Sequence, residues 1–221
     1  MDKKIRQSVK QYRDKISSDH RFASFDYCYN YFYTFYKNCR TNELANDHNL
    51  QLSCLHLGFY LASWGMMRGS SYILKEKNMH YFKNLIEVIS KMDKKLWEID
   101  VDTYTEENVE LLLNCKRQII EALKEKDYNP TDTLATKIML GVFANIPAFD
   151  DNVKNFLSKK LHVRSVNKKS LLKIKEFYEE YKSDFDSFEV YTFDFLTSKK
   201  TDIKYTKAKL IDMCGFIYGK K

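Results

Sequence analysis

The stretch TLATKIMLGVFANIPAFDDNVKNFL, residues 133–157, decides the fold. Apolar residues in its first half recur at the three- and four-residue spacing that places side chains on one helix face. Pro147 then ends that element, and the acidic and amide residues that begin at Asp150 are typical of a helix start. The stretch therefore predicts two consecutive helices, 132–144 and 151–161. The apolar face of the first helix consists of Ala135, Ile138, Met139, Leu140 and Phe143.

The rest of the chain follows the same pattern. Its 221 residues include only six glycines and two prolines, which is too few turn residues for a protein of many strands. We therefore predict a single all-α domain, compact and of two lobes, with a possible lobe boundary near 126–133. The predicted helices span 3–17, 22–40, 49–67, 79–92, 105–125, 132–144, 151–161, 168–184 and 203–217.

Two segments show strand-like alternation. Aromatic residues occupy every second position of FDYCYNYFYTFY, residues 25–36, but the same residues also contain a helical row, and we assign a helix. FEVYTFDF, residues 188–195, alternates more clearly. Because no second strand is evident in the sequence, we predict a short extended arm there.

Composition narrows the class of protein. The first residues lack the apolar core and the cleavage site of a signal peptide, and no apolar run approaches the length that crosses a bilayer. These observations favour a cytoplasmic protein without a membrane partner. The five cysteines form no Cys-x-x-Cys pair and the five histidines show no metal-ligand spacing. We expect no metal and no cofactor, and the oligomeric state is left open.

The charge distribution points to a partner. The chain carries 37 Lys and Arg against 30 Asp and Glu, a net charge of +7. Residues 154–175 contain no acidic residue, which is typical of a surface that faces phosphates, although a solvated lysine-rich face has the same pattern. Lys220 and Lys221 add charge at the tail. We therefore predict DNA as the partner. The basic residues of the run are Lys154, Lys159, Lys160, Arg164, Lys168, Lys169, Lys173 and Lys175.

A second group of site residues lies in LHLGFYLASWGMMRGSSY, where His56, Tyr60, Trp64 and Arg68 recur every four residues. This spacing places them along one slowly spiralling helix face. Such a row can line a pocket, or it can present stacking rings and a guanidinium to a nucleic acid. Core packing is the alternative, because Trp and Tyr often fill interiors.

The stretch quoted first resembles a segment of the helix-hairpin-helix superfamily of DNA glycosylases, most closely its adenine-mismatch branch. In that family a helix leads through a short loop and a proline to an aspartate, and a second helix follows at once. The resemblance implies that Asp150 takes the place of the catalytic carboxylate, and Lys154 and the basic run beyond it would hold phosphates. The matching positions are Pro147, Asp150, Asn152, Val153, Lys154 and Leu157.

The chain also departs from that family. The segment KDYNPTDTLATK, residues 126–137, leads into the predicted helix 132–144 and has no glycine for the hairpin. The four-cysteine iron-sulfur loop of the adenine-mismatch branch is also absent. Any activity would therefore be monofunctional and cluster-free, with Asp150 assisting hydrolysis of an N-glycosidic bond on a flipped nucleotide.

The alternative is a non-catalytic module that binds nucleic acid or protein through the basic 154–175 face. Asp150 would then be only a helix cap. The phrases LASWGMMRGSS and TKIMLGVF are also similar to a bacterial family without an assigned activity.

Overall fold

The computed structural model describes residues 3–220, so Lys221 lies outside the described residues. Most of the described chain is helical, in agreement with the predicted class. None of its helices combines the length and the apolar character that crossing a membrane requires. The helices are α1 (Lys3–Arg13), α2 (Ser24–Lys37), α3 (Leu50–Ser63), α4 (Tyr72–Glu76), α5 (Lys83–Ile89), α6 (Glu106–Leu123), α7 (Asp132–Phe143), α8 (Asp151–Leu161), α9 (Lys168–Glu180), α10 (Lys182–Asp186) and α11 (Lys207–Tyr218).

Helices α7 and α8 lie where the opening stretch predicts them. The Thr131 hydroxyl accepts a hydrogen bond from the Leu134 backbone N–H at 3.2 Å and begins α7. Ala144 ends α7 in the left-handed conformation, at φ +53°. Every residue of α7 from Leu134 to Phe143 is buried, so this helix lies in the interior of the protein and its neighbours pack around it.

Several helix bounds differ from the prediction. The segment predicted as 168–184 divides at Tyr181 into α9 and α10, and 79–92 begins as a 3₁₀ turn before α5. Helix α4 lies in a segment where no helix is predicted. It begins after Ser71, whose hydroxyl accepts a hydrogen bond from the Leu74 N–H at 3.3 Å.

The extended arm near 188–195 has a partner, contrary to the prediction. Strand β1 (Tyr191–Phe193) pairs antiparallel with β2 (Lys200–Lys204). The prediction that a helix starts at residue 203 is therefore wrong at its first residues. The sequence does not reveal β2, because its exposed positions are the charged residues Lys200, Asp202 and Lys204 and it has no alternating apolar pattern.

Helix α2 anchors this hairpin. The Asp26 carboxylate accepts hydrogen bonds from the Phe193 N–H at 3.0 Å and from the Tyr205 hydroxyl. The Asn30 side-chain amide donates to the Phe193 carbonyl at 2.9 Å. Both backbone polar groups of one strand residue are thus satisfied by α2 side chains.

A single cluster of buried apolar side chains extends from Ile5 to Ile217. Helix α11 packs against α1 and α8, while α7 packs against α2, α3 and α6. The predicted lobe boundary at 126–133 is a tight connection between α6 and α7, with a backbone bridge between Glu125 and Tyr128. The division into two lobes stays a prediction.

Helices α3 and α7 approach each other closely at Gly141. A Cβ atom added there would lie 2.4 Å from Cε1 of the buried Tyr60 ring. We expect Gly141→Ala to lower the free energy of unfolding by about 1–3 kcal/mol, because the buried ring of Tyr60 would have to shift within a close-packed interior. Urea unfolding would measure the loss. Gly69→Ala is the matched control, since nothing lies within 4 Å of its added Cβ; equal losses in the two variants would contradict the close approach.

Candidate functional site

A cleft of about 560 Å³ opens at Asp150. It lies between the C-terminal end of α3, the first turns of α7 and α8, and the end of α11. Segments far apart in sequence therefore build one site. Its lining includes Arg21, Trp64, Gly65, Arg68, Thr133, Lys137, Asp150, Asp151, Asn152, Phe216 and Lys220.

The Asp150 carboxylate is held by two partners. Oδ1 accepts a hydrogen bond from the Val153 N–H at 3.1 Å, which makes Asp150 the N-cap of α8. Oδ2 accepts from Lys137 Nζ at 2.9 Å. The Lys137 side chain is 4% exposed and that of Asp150 is 16% exposed, so the ion pair forms one wall of the cleft while the carboxylate retains contact with solvent.

The backbone before Asp150 is fixed from both sides by α7. Thr133 Oγ1 donates to the Phe149 carbonyl at 2.8 Å, and the Phe149 N–H donates to Thr136 Oγ1 at 2.9 Å. Two threonines of one helix thus bind both backbone polar groups of Phe149, which fixes the backbone immediately before Asp150.

Trp64 forms the aromatic wall of the cleft. It follows the last residue of α3, and Gly65 turns the chain away in the left-handed region at φ +76°, a conformation that favours glycine. The indole stacks on Phe22 with 5.3 Å between ring centroids. The side chain is only 7% exposed, and among the described residues its Nε1–H has no hydrogen-bond partner.

Three cations surround the Trp64 ring at similar distances. The Arg21 guanidinium lies 5.2 Å from the ring centroid, Lys137 Nζ 5.3 Å and Lys209 Nζ 5.2 Å. Lys209 is 1% exposed and pairs with Asp212 at 3.0 Å. Cations over an indole face are attracted by the ring quadrupole. Lys137 and Lys209 also have carboxylate partners, so Arg21 is the cation of the three without an ion pair among the described residues.

Asp212 also connects α11 to the loop that carries Asp150. Its Oδ1 accepts a hydrogen bond from the Ala148 N–H at 3.1 Å, while Oδ2 pairs with Lys209. These two interactions compensate part of the free-energy cost of burying the Asp212 carboxylate. The loop from Ala144 to Asp150 is therefore fixed by α7 and by α11.

The rim of the cleft is cationic. Arg21 Nη1 donates to the Ser63 carbonyl at 2.9 Å, and Arg68 Nε donates to the Gly65 carbonyl at 3.0 Å. Both arginines thus bind carbonyls at the negative end of α3. Partial burial, together with the charges of Lys15 and Arg21, lowers the pKa of Lys220.

A second groove, of about 630 Å³, continues from the cleft along α8. The two share Asp151 and Asn152, and the groove adds the cations Lys154 and Arg164. Lys154 pairs with Asp151 at 3.5 Å, and Arg164 Nε donates to the Ser158 hydroxyl at 3.3 Å. Of the predicted basic run, these two residues line the groove that adjoins the cleft.

The remaining predicted basic residues do not form one uniform face. Lys168 pairs with Glu106 at 3.1 Å, and Lys160 Nζ lies 5.1 Å from the Tyr218 ring centroid. Lys159 and Lys169 are exposed and have no ion pair among the described residues. Acidic residues from α6 therefore neutralise part of a segment that has none of its own.

The predicted row on α3 separates into two environments. Trp64 and Arg68 line the cleft. Tyr60 is buried at the close approach to Gly141 instead. His56 stacks on Tyr31 with 4.1 Å between centroids, and burial lowers the pKa of His56. Because α3 is apolar on all sides, its sequence does not show which face meets the interior.

The sequence interpretation missed Arg21, Lys137, Phe216 and Lys220 as site residues. Arg21, Phe216 and Lys220 are far from Asp150 in sequence, and only the fold brings them to the cleft. Lys137 had a recognisable pattern, because a lysine inside an apolar helix needs a partner when that helix is buried. Asp150 is the first carboxylate after Lys137 in the sequence, and it could have been recognised as that partner.

Metal-ligating side chains are dispersed. Across residues 3–220 no group of three His, Cys, Asp or Glu side chains is placed to hold a metal ion. The arrangement at Asp150 is instead a carboxylate between an aromatic wall and a cationic rim. Compared with known protein families, with curated proteins and with solved structures, the chain matches none of them.

Proposed function

We propose that the protein binds DNA and excises a base, with the target nucleotide entering the cleft beside Asp150. One observation carries the proposal: a fixed carboxylate lies in a cleft of nucleotide size, with an aromatic wall and a cationic rim. Pockets of about 300–1,000 Å³ are typical for small organic ligands. The resemblance of residues 133–157 to glycosylases supports the same assignment of Asp150.

The chemistry would be hydrolysis of the N-glycosidic bond. The bond between C1′ and the base nitrogen breaks, a water oxygen bonds to C1′, and one water proton ends on the departing base. Positive charge develops on the sugar along the way. The Asp150 carboxylate can stabilise that charge or orient the water, since each of its oxygens has lone pairs beyond its present hydrogen bond.

The surroundings of Asp150 supply what a flipped nucleotide requires. A base that leaves its stack needs an aromatic surface. The small exposed parts of Trp64 and Phe216, 7% and 8% of each residue, line the cleft. The DNA backbone needs cations, and Lys154 and Arg164 lie in the adjoining groove. We therefore place the nucleotide in the cleft and the neighbouring phosphates along α8.

A non-catalytic DNA-binding module is the second candidate function. It is favoured by the two bonds that Asp150 already makes, because a helix cap and an ion pair with Lys137 give this carboxylate a structural role without any chemistry. The groove along α8 would then bind the phosphate backbone alone.

Base release separates the two candidates. The wild-type protein would be incubated with a panel of duplexes that carry mismatched, deaminated, alkylated or oxidised bases, and released base would be quantified by chromatography. We expect release from at least one duplex, and affinity for DNA that falls as salt concentration rises. Salt-dependent binding with no release from any duplex would leave only the binding module. Binding that ignores salt would contradict both.

A further inference from the structure

The cleft holds more positive than negative charge. Four cationic side chains and two carboxylates line it, an excess of two positive charges. Both carboxylates already have a lysine partner, Asp150 with Lys137 and Asp151 with Lys154. Three lining cations remain without an ion-pair partner among the described residues. They are Arg21, Arg68 and Lys220.

The two arginines have most of their donors left. A guanidinium carries five N–H donors in a planar fork. Arg21 and Arg68 each make one hydrogen bond, to the Ser63 and Gly65 carbonyls respectively. These bonds hold Arg21 through Nη1 and Arg68 through Nε near the end of α3. The remaining N–H donors of each guanidinium suit the binding of an oxyanion.

Like charges lie close together at this rim. The charges of Lys15 and Arg21 act with partial burial to lower the pKa of Lys220. Lys220 Nζ is also 4.8 Å from the Phe216 ring centroid, so it lies over an aromatic wall of the same cleft. Unpaired cations that repel one another are stabilised when an anion binds between them.

We propose that Arg21, Arg68 and Lys220 form a phosphate-binding site at the mouth of the cleft, which takes the phosphate group of a nucleotide. The aromatic walls beside these cations make a nucleotide a better ligand than inorganic phosphate, since Trp64 and Phe216 can contact a base. The assignment to a nucleotide rests on the proposed function, whereas the phosphate site rests on the charges alone.

Isothermal calorimetry at low salt would test the site with three probes: deoxyadenosine 5′-monophosphate, deoxyadenosine and inorganic phosphate. We expect the nucleotide to bind at least about tenfold more tightly than deoxyadenosine, since bonds to charged groups contribute that much. Arg21→Met and Lys220→Met should each weaken nucleotide binding about tenfold. Methionine retains aliphatic contact with the neighbouring rings and removes only the charged donors.

Lys200→Met is the matched control, because it removes one positive charge from the exposed strand β2, away from the cleft. Its nucleotide affinity should equal that of the wild type. Unchanged affinity in Arg21→Met and Lys220→Met, or deoxyadenosine binding as tightly as the nucleotide, would overturn the phosphate site. Inorganic phosphate binding as tightly as the nucleotide would overturn the assignment to a nucleotide.

The outcome is independent of catalysis. Phosphate-dependent binding without base release from any duplex would support the site and contradict the proposed excision. Base release together with phosphate-independent binding would support the excision and contradict the site. Asp150→Asn should bind the nucleotide at least as tightly as the wild type, because it removes a negative charge from the cleft.

Discussion

Asp150→Asn should lower base release at least about a hundredfold, because preorganised electrostatic groups at a reacting centre commonly contribute that much. Asparagine has the same shape and retains the oxygen that accepts from the Val153 N–H, and it is as good an N-cap as aspartate. The charge that would stabilise the sugar cation is lost. DNA affinity should stay equal or rise, since the DNA backbone is a polyanion. Single-turnover base release and fluorescence anisotropy would measure the two effects.

The same substitution should lower the free energy of unfolding by about 3 kcal/mol, because a buried lysine then lacks its partner. Lys137→Met combined with Asp150→Asn should regain most of that stability, since neither buried charge remains, but it should not regain activity. Asp151→Asn is the control: its side chain is 91% exposed, and we expect a stability change within about 0.5 kcal/mol. Full base release by Asp150→Asn would disprove a catalytic carboxylate.

The stability of the wild-type protein should fall as pH rises from 3.8 to about 7 because of Asp26. Burial raises the pKa of Asp26 from 3.8 to about 7, against the opposing effects of the Tyr205 and Phe193 hydrogen bonds and the Lys209 charge. Between these two values the folded state keeps a proton that the unfolded state has lost. The contribution of Asp26 is therefore complete below pH 3.8 and is lost as pH rises through about 7, by about 4 kcal/mol in total.

Asp26→Asn isolates this effect, because asparagine resembles the protonated carboxyl group and does not titrate. Urea unfolding at a series of pH values should show similar stability for wild type and variant near about pH 4, and a more stable variant near about pH 8. A difference between the two proteins that stays constant with pH would contradict the raised pKa.

The sequence predicts α7 and α8 well because local effects determine both. Thr131 and Asp150 cap the helices, and the apolar spacing of α7 is unambiguous. The hairpin was not predictable in the same way. Strand β2 has exposed charged residues at alternate positions, and the contact of β1 with α2 joins residues more than 160 positions apart. No local pattern reports such a contact.

The candidate site was predictable only in part. Asp150, Trp64 and Arg68 were recognised from residue type and spacing, and the structure places all three in one cleft. The burial of Tyr60 could not be predicted, because α3 is apolar on all sides and its sequence does not show which face meets the interior. Arg21 and Lys220 are nearly 200 residues apart, and only the packing of α11 near the chain start brings them together.

The position of Trp64 gives the protein an internal optical probe. The chain contains two tryptophans. Trp97 is buried and donates its Nε1–H to the Val142 carbonyl at 3.1 Å, so its emission would provide a steady background. Trp64 lines the cleft, and three cations lie around its ring. A ligand that moves the Arg21 guanidinium from its place over Trp64 would alter the emission of a single indole, which makes occupancy of the cleft readable in real time without a label.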